Sequence, residues 1–191
     1  MKKIGVTGGI ASGKSLICRI LEEIGHPVFY SDRVAKDIIR TDNVIKRQII
    51  ELFGEASYFG DQLITSHIAS LAFTDTLLLD KMNQIIHPAV RRVFDVWCEK
   101  QNKNIVFNEA AILFETGAYR KFDATLLVTA PMEIRIKRAM FRDNSSRQEV
   151  TQRISKQWPD EKKIPLASYV LNNDDATPII KQLEDFLIMM S

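Results

Sequence analysis

The 191-residue sequence contains only two cysteines, Cys18 and Cys98, which lie far apart and without metal-ligand spacing. That scarcity argues against a disulfide framework and against a zinc site, and it fits a reducing cytoplasm. Charge of one sign is also missing. The 26 Lys and Arg nearly balance 24 Asp and Glu, for a formal net charge of +2, so the chain lacks the basic field of a nonspecific nucleic-acid binder and any anion site must be local. No stretch approaches the roughly 18–20 apolar residues of a membrane span. The start is not that of a signal peptide, because Lys2-Lys3 precede only a short apolar run, Ile4 to Val6, before two glycines. A cytoplasmic protein with no membrane and no nucleic-acid partner is expected, and no obligatory protein partner is evident.

What remains is an ordinary globular composition, 46% hydrophobic and 26% charged, long enough to bury a core within one domain spanning residues 1–191. Ile4 and Val6 sit in a β-prone run that stops at Gly8-Gly9, and Leu16, Ile17, Ile20, Leu21 and Ile24 recur at helical spacing. Gly25 is placed to end that helix. Residues 26–30 read as a second strand stopping at Ser31-Asp32. From about 34 to 103 no strand is predicted; helices break near Thr41-Asp42, Gly54, Gly60 and His87-Pro88, which reads as a helical insertion.

Beyond it, Ile105-Val106-Phe107 and Ala124 to Thr129 have the apolar density of buried strands, each followed by helical material, with Pro131 in the first turn of its helix. Ser146-Arg147-Gln148-Glu149 has the form of a capping box, Tyr169-Val170-Leu171 of a last strand, and Thr177-Pro178 of an N-cap before a terminal helix. Strands alternating with helices predict an α/β fold, a parallel sheet flanked by helices on both faces, with ligands at the carboxyl ends of its strands.

Gly8-Gly9-Ile10-Ala11-Ser12-Gly13-Lys14-Ser15 satisfies G-x-x-x-x-G-K-[ST] between a predicted strand and a predicted helix, a context that weighs against a mere glycine-rich turn. Such a loop turns its backbone N–H groups toward phosphate oxygens, and the helix N-terminus adds partial positive charge. Lys14 is expected to reach the β- and γ-phosphates of ATP, and the Ser15 hydroxyl to join a Mg²⁺ shell. Ala11, Ser12 and Leu16 would contribute backbone amides. The fold is thus of the P-loop NTPase type, three-layered, with the insertion and a lid at about 138–165. A guanine-nucleotide switch is disfavoured, since Asn102-Lys103-Asn104-Ile105 lacks the aspartate of an Asn-Lys-x-Asp element.

Further elements follow in order. Val6 to Ser15, Tyr30-Ser31-Asp32-Arg33-Val34-Ala35, His87-Pro88, Ile112-Leu113-Phe114-Glu115, Arg142-Asp143 and Asn173 together resemble the dephospho-coenzyme A kinase family over nearly the whole chain. Tyr30, Leu63-Ile64-Thr65, Ala111 and Asp174 depart from that family's pattern. The resemblance implies ATP and dephospho-coenzyme A as substrates, phosphorylation of the ribose 3′-hydroxyl, and Asp32 as the base. The placement of Asp32 after the second strand suits that role; an N-cap aspartate on a helix beginning near Arg33 is the alternative.

Arg142 and Arg147 flank the polar break Asp143-Asn144-Ser145-Ser146, as cations of a lid over ATP would. Arg138, Lys137 and Arg153 read equally well as solvated helix faces. His87 is either a helix terminator or a substrate contact, and Glu115 is favoured over Glu109 for substrate or magnesium positioning because the family motif matches there. Asn173 is assigned to the nucleotide. Trp97, Trp158 and the phenylalanines are spread out as packing residues. Another small-molecule P-loop kinase and a noncatalytic nucleotide-binding module are the competing functions.

Overall fold

The structure is a computed structural model that describes residues 1–75 and 77–191. It divides into two compact units, one of residues 1–29 with 102–191 and one of Tyr30–Gln101.

The first unit is organised by β1 (Lys2–Gly8), whose Ile4 and Val6 are fully buried. In order across the sheet, β2 (Val28–Tyr30), β5 (Ile105–Glu109), β1, β6 (Ala124–Thr129) and β7 (Tyr169–Asn172) lie side by side. The pairings of β1 with β5, β1 with β6 and β6 with β7 are parallel. Burial on both faces explains why β6 reads as an unbroken apolar run rather than an alternating one. Parallel register also brings the carboxyl ends of the strands to one edge: Val6 is opposite Glu109, and Gly8 opposite Val128.

The crossover after β1 is α1 (Lys14–Glu23), which buries Ile17, Cys18 and Leu21 and ends before Gly25 at φ 87°, a left-handed conformation suited to glycine. Burial pushes the Cys18 thiol up to about 12, so it packs as a hydrophobe. After β6 come α6 (Met132–Asp143), α7 (Arg147–Ile154) and α8 (Asp160–Lys163), and after β7 comes α9 (Ile179–Met190), anchored by Leu183 and Phe186. The capping box of α7 forms in full: Ser146 Oγ accepts the Glu149 N–H, and the Glu149 carboxylate accepts the Ser146 N–H at 2.8 Å. Two expected caps shift by one position. Pro131 is the N-cap residue of α6 rather than part of its first turn, and Pro178 rather than Thr177 is the N-cap residue of α9. Thr177 is instead drawn back by Asp174, which accepts both its N–H and its hydroxyl.

The second unit comprises α2 (Ser31–Thr41), α3 (Asn43–Phe53), β3 (Tyr58–Phe59), β4 (Gln62–Leu63), α4 (Thr65–Thr74) and α5 (Leu77–Glu99). Asp42 caps α3 by accepting the N–H groups of Val44 and Ile45. Its core is apolar: Ile38, Ile45, Ile49, Phe53, Ile68, Met82, Ile86 and Ala89 pack together. Two expectations need correction here. The region contains a two-stranded hairpin turning at Gly60, where only helices were predicted. The helix does not break at His87-Pro88 either; Pro88 lies inside α5. Met82, Ile86 and Ala89 put one face of α5 into the core on both sides of the proline, and that packing outweighs the one backbone hydrogen bond a proline removes.

Candidate active site

The edge where β1 ends is built for an anion. Gly13, at φ 104°, is the N-cap residue of α1, with no side-chain cap and no acidic residue in the first turn. Gly13 has no side chain with which to cap the leading N–H groups of α1, and the helix dipole makes that end attractive to phosphate. Close packing demands the glycines. A Cβ on Gly8 would run into the Val128 carbonyl, one on Gly9 into the Arg135 guanidinium, and one on Gly13 into the Asn173 amide. Ala11 takes φ 57°, the turn that carries the loop over its crest.

Lys14 Nζ donates to the carbonyls of Gly8 at 2.8 Å and Gly9 at 3.4 Å, so its ammonium is folded back across the loop's mouth. Asn173, buried, donates from Nδ2 to the Ser12 carbonyl at 2.8 Å. Its own N–H is accepted by Thr129 at 2.8 Å, which ties the end of β7 to the loop. Beside Gly13 and Leu16 opens a cavity of about 570 Å³ lined by Arg138, Asn173 and residues 175–179. Arg138 Nη2 donates to the Asn173 carbonyl at 3.1 Å and to Asp175 Oδ1, so this side chain belongs to the cavity rather than to a solvated helix face. Asp174 accepts the N–H groups of Thr177 and Ala176, and those bonds hold its carboxyl below the usual range. The residue with positive φ is Asp175, at 65°, so position 174 does not require glycine.

The α6–α7 cations are committed to carboxylates. Arg142 makes a two-point contact with Asp143 at 2.7 and 3.0 Å, and Arg153 adds a third donor at 2.8 Å. Together they hold the Asp143 carboxyl well below the usual carboxylate range. Arg147 grips Glu133 with both terminal nitrogens, which lowers the Glu133 carboxyl likewise.

Glu115 follows β5. Its Oε1 accepts the Trp158 N–H at 3.1 Å and lies 3.0 Å from Lys163 Nζ, whose side chain is 0% exposed. Arg135, Gln157, Asp160 and Lys163 were not singled out in the sequence, yet they surround the loop's base. The available signal was the position of Arg135 four residues before Ala139, on the face of α6 that is buried with Ile136.

In the second unit, Asp32 is an exposed residue in the first turn of α2, which begins at Ser31 with Tyr30 as N-cap. It is therefore not the N-cap that the alternative reading required. His87 lies on α5, where partial burial and Arg91 lower its pKa. Among the described residues no group of three or more His, Cys, Asp or Glu could hold a metal ion. Ser15 is exposed at the start of α1. No helix among the described residues is long and apolar enough to cross a membrane.

The sequence model of the dephospho-CoA kinase family matches residues 2–178. A curated dephospho-CoA kinase from Bacteroides fragilis is 39% identical over 189 residues, covering 98% of this chain and 92% of the relative. A solved Thermus thermophilus protein superposes with a TM-score of 0.84 at 35% identity, over 99% of this chain and 95% of that one. A solved dephospho-CoA kinase from Campylobacter jejuni, 22% identical, shares the fold with a TM-score of 0.66 over 98% of this chain and 94% of its own.

Proposed function

The chain belongs to the dephospho-CoA kinase family, and from that premise we propose that it transfers the γ-phosphoryl group of ATP to the ribose 3′-hydroxyl of dephospho-CoA, the last step of coenzyme A biosynthesis, in the cytoplasm. The observation that carries the reading is the uncapped, glycine-built N-terminus of α1 with Lys14 lying across it. ATP phosphates displace the Gly8 and Gly9 carbonyls from Lys14, which then neutralises charge on the β- and γ-oxygens. The base of ATP occupies the cavity beside Gly13, Leu16, Arg138 and Asn173. The Ser15 hydroxyl would hold Mg²⁺ at the loop, and the metal would supply positive charge to offset the charge that develops on phosphate oxygens in transfer.

Asp32 orients the 3′-hydroxyl and takes its proton as the new P–O bond forms and the bond to ADP breaks. Arg142 and Arg147 exchange Asp143 and Glu133 for phosphate oxygens as residues of about 138–165 close over the nucleotide. His87 and Glu115 contact the acceptor, which is held by the insertion, about residues 34–103. Initial rates of ADP release with Mg²⁺-ATP and a panel of acceptors test the proposal. Dephospho-CoA is expected to exceed AMP, UMP, GMP, shikimate and pantothenate by a wide margin, and a faster reaction with a nucleoside monophosphate would replace it with a nucleotide-kinase reading.

A further inference from the structure

The crest of the phosphate-binding loop is gripped from outside. Ile10 has both backbone polar groups engaged by side chains far along the chain: its N–H donates to Gln157 Oε1 at 2.8 Å, and its carbonyl accepts from Arg135 Nε at 3.0 Å. Gln157 also donates from Nε2 to the Ala111 carbonyl at 3.4 Å, the same oxygen that accepts from the Thr7 hydroxyl. The side chains of Ile10 and Ala11 pack on the apolar cluster of Ile136, Ala139, Val150 and Ile154 between α6 and α7. Neither helix can shift without pulling on the loop.

The grip is itself fixed by buried charge. Arg135 Nη1 reaches Asp160 Oδ2 at 3.4 Å, and the Arg135 side chain is 5% exposed. One turn on, Lys163 places its ammonium against Glu115 Oε1, the oxygen that also accepts the Trp158 N–H. The segment from Gln157 to Lys163 is thereby pinned at both ends, by Gln157 on the loop and by Lys163 on the chain after β5. Burying a lysine completely is costly unless a carboxylate accompanies it, and such pairs are better explained by the geometry they enforce than by the stability they add.

We propose that Lys163 is a positioning residue for nucleotide binding: its buried pairing with Glu115 seats residues 157–160 so that Gln157 and Arg135 hold Ile10 and keep the phosphate-binding loop open. The proposal rests on the reading that this loop receives the phosphates of ATP; because Glu115 also serves the acceptor in that reading, Gln157→Leu, which leaves the Lys163–Glu115 pair in place, is the variant that separates the two. Removing the clamp lets the crest relax, so its amides no longer converge, and ATP binding must then supply the ordering.

The test uses Lys163→Met and, since loss of one partner of a buried pair can prevent folding, Gln157→Leu, which removes the clamp's arm without stranding a charge. Mg²⁺-ATP affinity is measured by calorimetry, amide hydrogen exchange is followed at residues 9–13 without nucleotide, and KM for ATP and for the acceptor are read separately. Both variants are expected to weaken ATP by about 10-fold to 10²-fold and to speed exchange in the loop, and Gln157→Leu, which leaves Glu115 paired, is expected to leave the acceptor KM within about twofold. Mere destabilisation would lower kcat with the folded fraction and leave KM for ATP unchanged. If Lys163→Met does not fold, Gln157→Leu decides alone. Folded variants with wild-type ATP affinity and wild-type loop exchange would overturn the proposal. Failure of the wild-type protein to phosphorylate dephospho-CoA would strike the acceptor assignment instead, and the ATP-affinity result would stand apart from it.

Discussion

The two units bury different chemistry. Among the described residues, the first unit encloses Thr7, Ser12, Asn108, Thr125, Thr129, Arg135, Lys163 and Asn173, whereas the second encloses Ser57 as its one buried polar residue. The helices of the second unit meet through isoleucine, phenylalanine and methionine, which need only shape and apolarity to pack. The first unit holds charges and amides out of water, where each must find a partner. Several of those groups hold the phosphate-binding loop: Arg135 donates to the Ile10 carbonyl and Asn173 to the Ser12 carbonyl. The contrast separates two ways a substitution can do harm. In the polar unit it should alter affinity and rate at constant fold; in the apolar core it should alter stability at constant affinity.

The largest departure from that division is expected at Asp32, which sits in the apolar unit's first helix and for which a chemical role is proposed. Asp32→Asn should slow phosphoryl transfer by about 10²-fold to 10⁴-fold, the range of a general-base effect, while calorimetry finds ATP binding intact. Loss of ATP affinity with unchanged transfer would remove Asp32 from the base role. Next is Lys14→Ala, expected to lower kcat by about 10²-fold to 10³-fold, the usual loss of a preorganised charge-stabilising group. Circular dichroism should be unchanged, and near-normal ADP release by the folded variant would contradict the loop's assignment.

Core truncation reverses the pattern. Ile49, 0% exposed in the second unit, should cost about 2–5 kcal/mol on Ile49→Ala. Chemical denaturation reads that loss, and ATP affinity of the folded variant should match the parent. A loss of ATP affinity there would break the comparison.

The smallest effect concerns pH. His26 packs edge-on against Phe107 at 5.5 Å, and burial, with Lys103 nearby, lowers its pKa from 6.5. The unfolded chain then takes up the proton more readily, so stability is complete above pH 6.5 and declines as the pH falls below it. Melting temperatures from pH 7.5 to 5 should fall less steeply in His26→Gln. The slope should not vanish, because the pKa of His87 is lowered in the same direction. Identical slopes in parent and variant would assign the effect elsewhere.

How much of this could be read beforehand follows from what each feature depends on. The loop was legible because phosphate binding fixes residue types at fixed spacing, Gly8 through Ser15, between a strand and a helix. The five strands of the sheet, taken one by one along the chain, and the α7 capping box were legible from local pattern, whereas which strand lies beside which was not. Pro88 misled because a proline signal is local, whereas α5 is kept continuous by Met82, Ile86 and Ala89 packed on the core. The clamp was hidden for a related reason. Lys163 and Glu115 are 48 residues apart in sequence, and Gln157 and Ile10 are 147 apart. Lys163 and Gln157 look like solvated surface residues until the fold brings α6, α8 and the chain after β5 around the end of β1.

The central claim is that the loop of the polar unit takes ATP as donor and that dephospho-CoA is the acceptor. Phosphorus NMR of the product formed from Mg²⁺-ATP in an equal mixture of dephospho-CoA, AMP and shikimate tests it most directly. The account predicts one new phosphomonoester, on the ribose 3′-oxygen of dephospho-CoA; a new phosphate on AMP or on shikimate, with dephospho-CoA left intact, would contradict it.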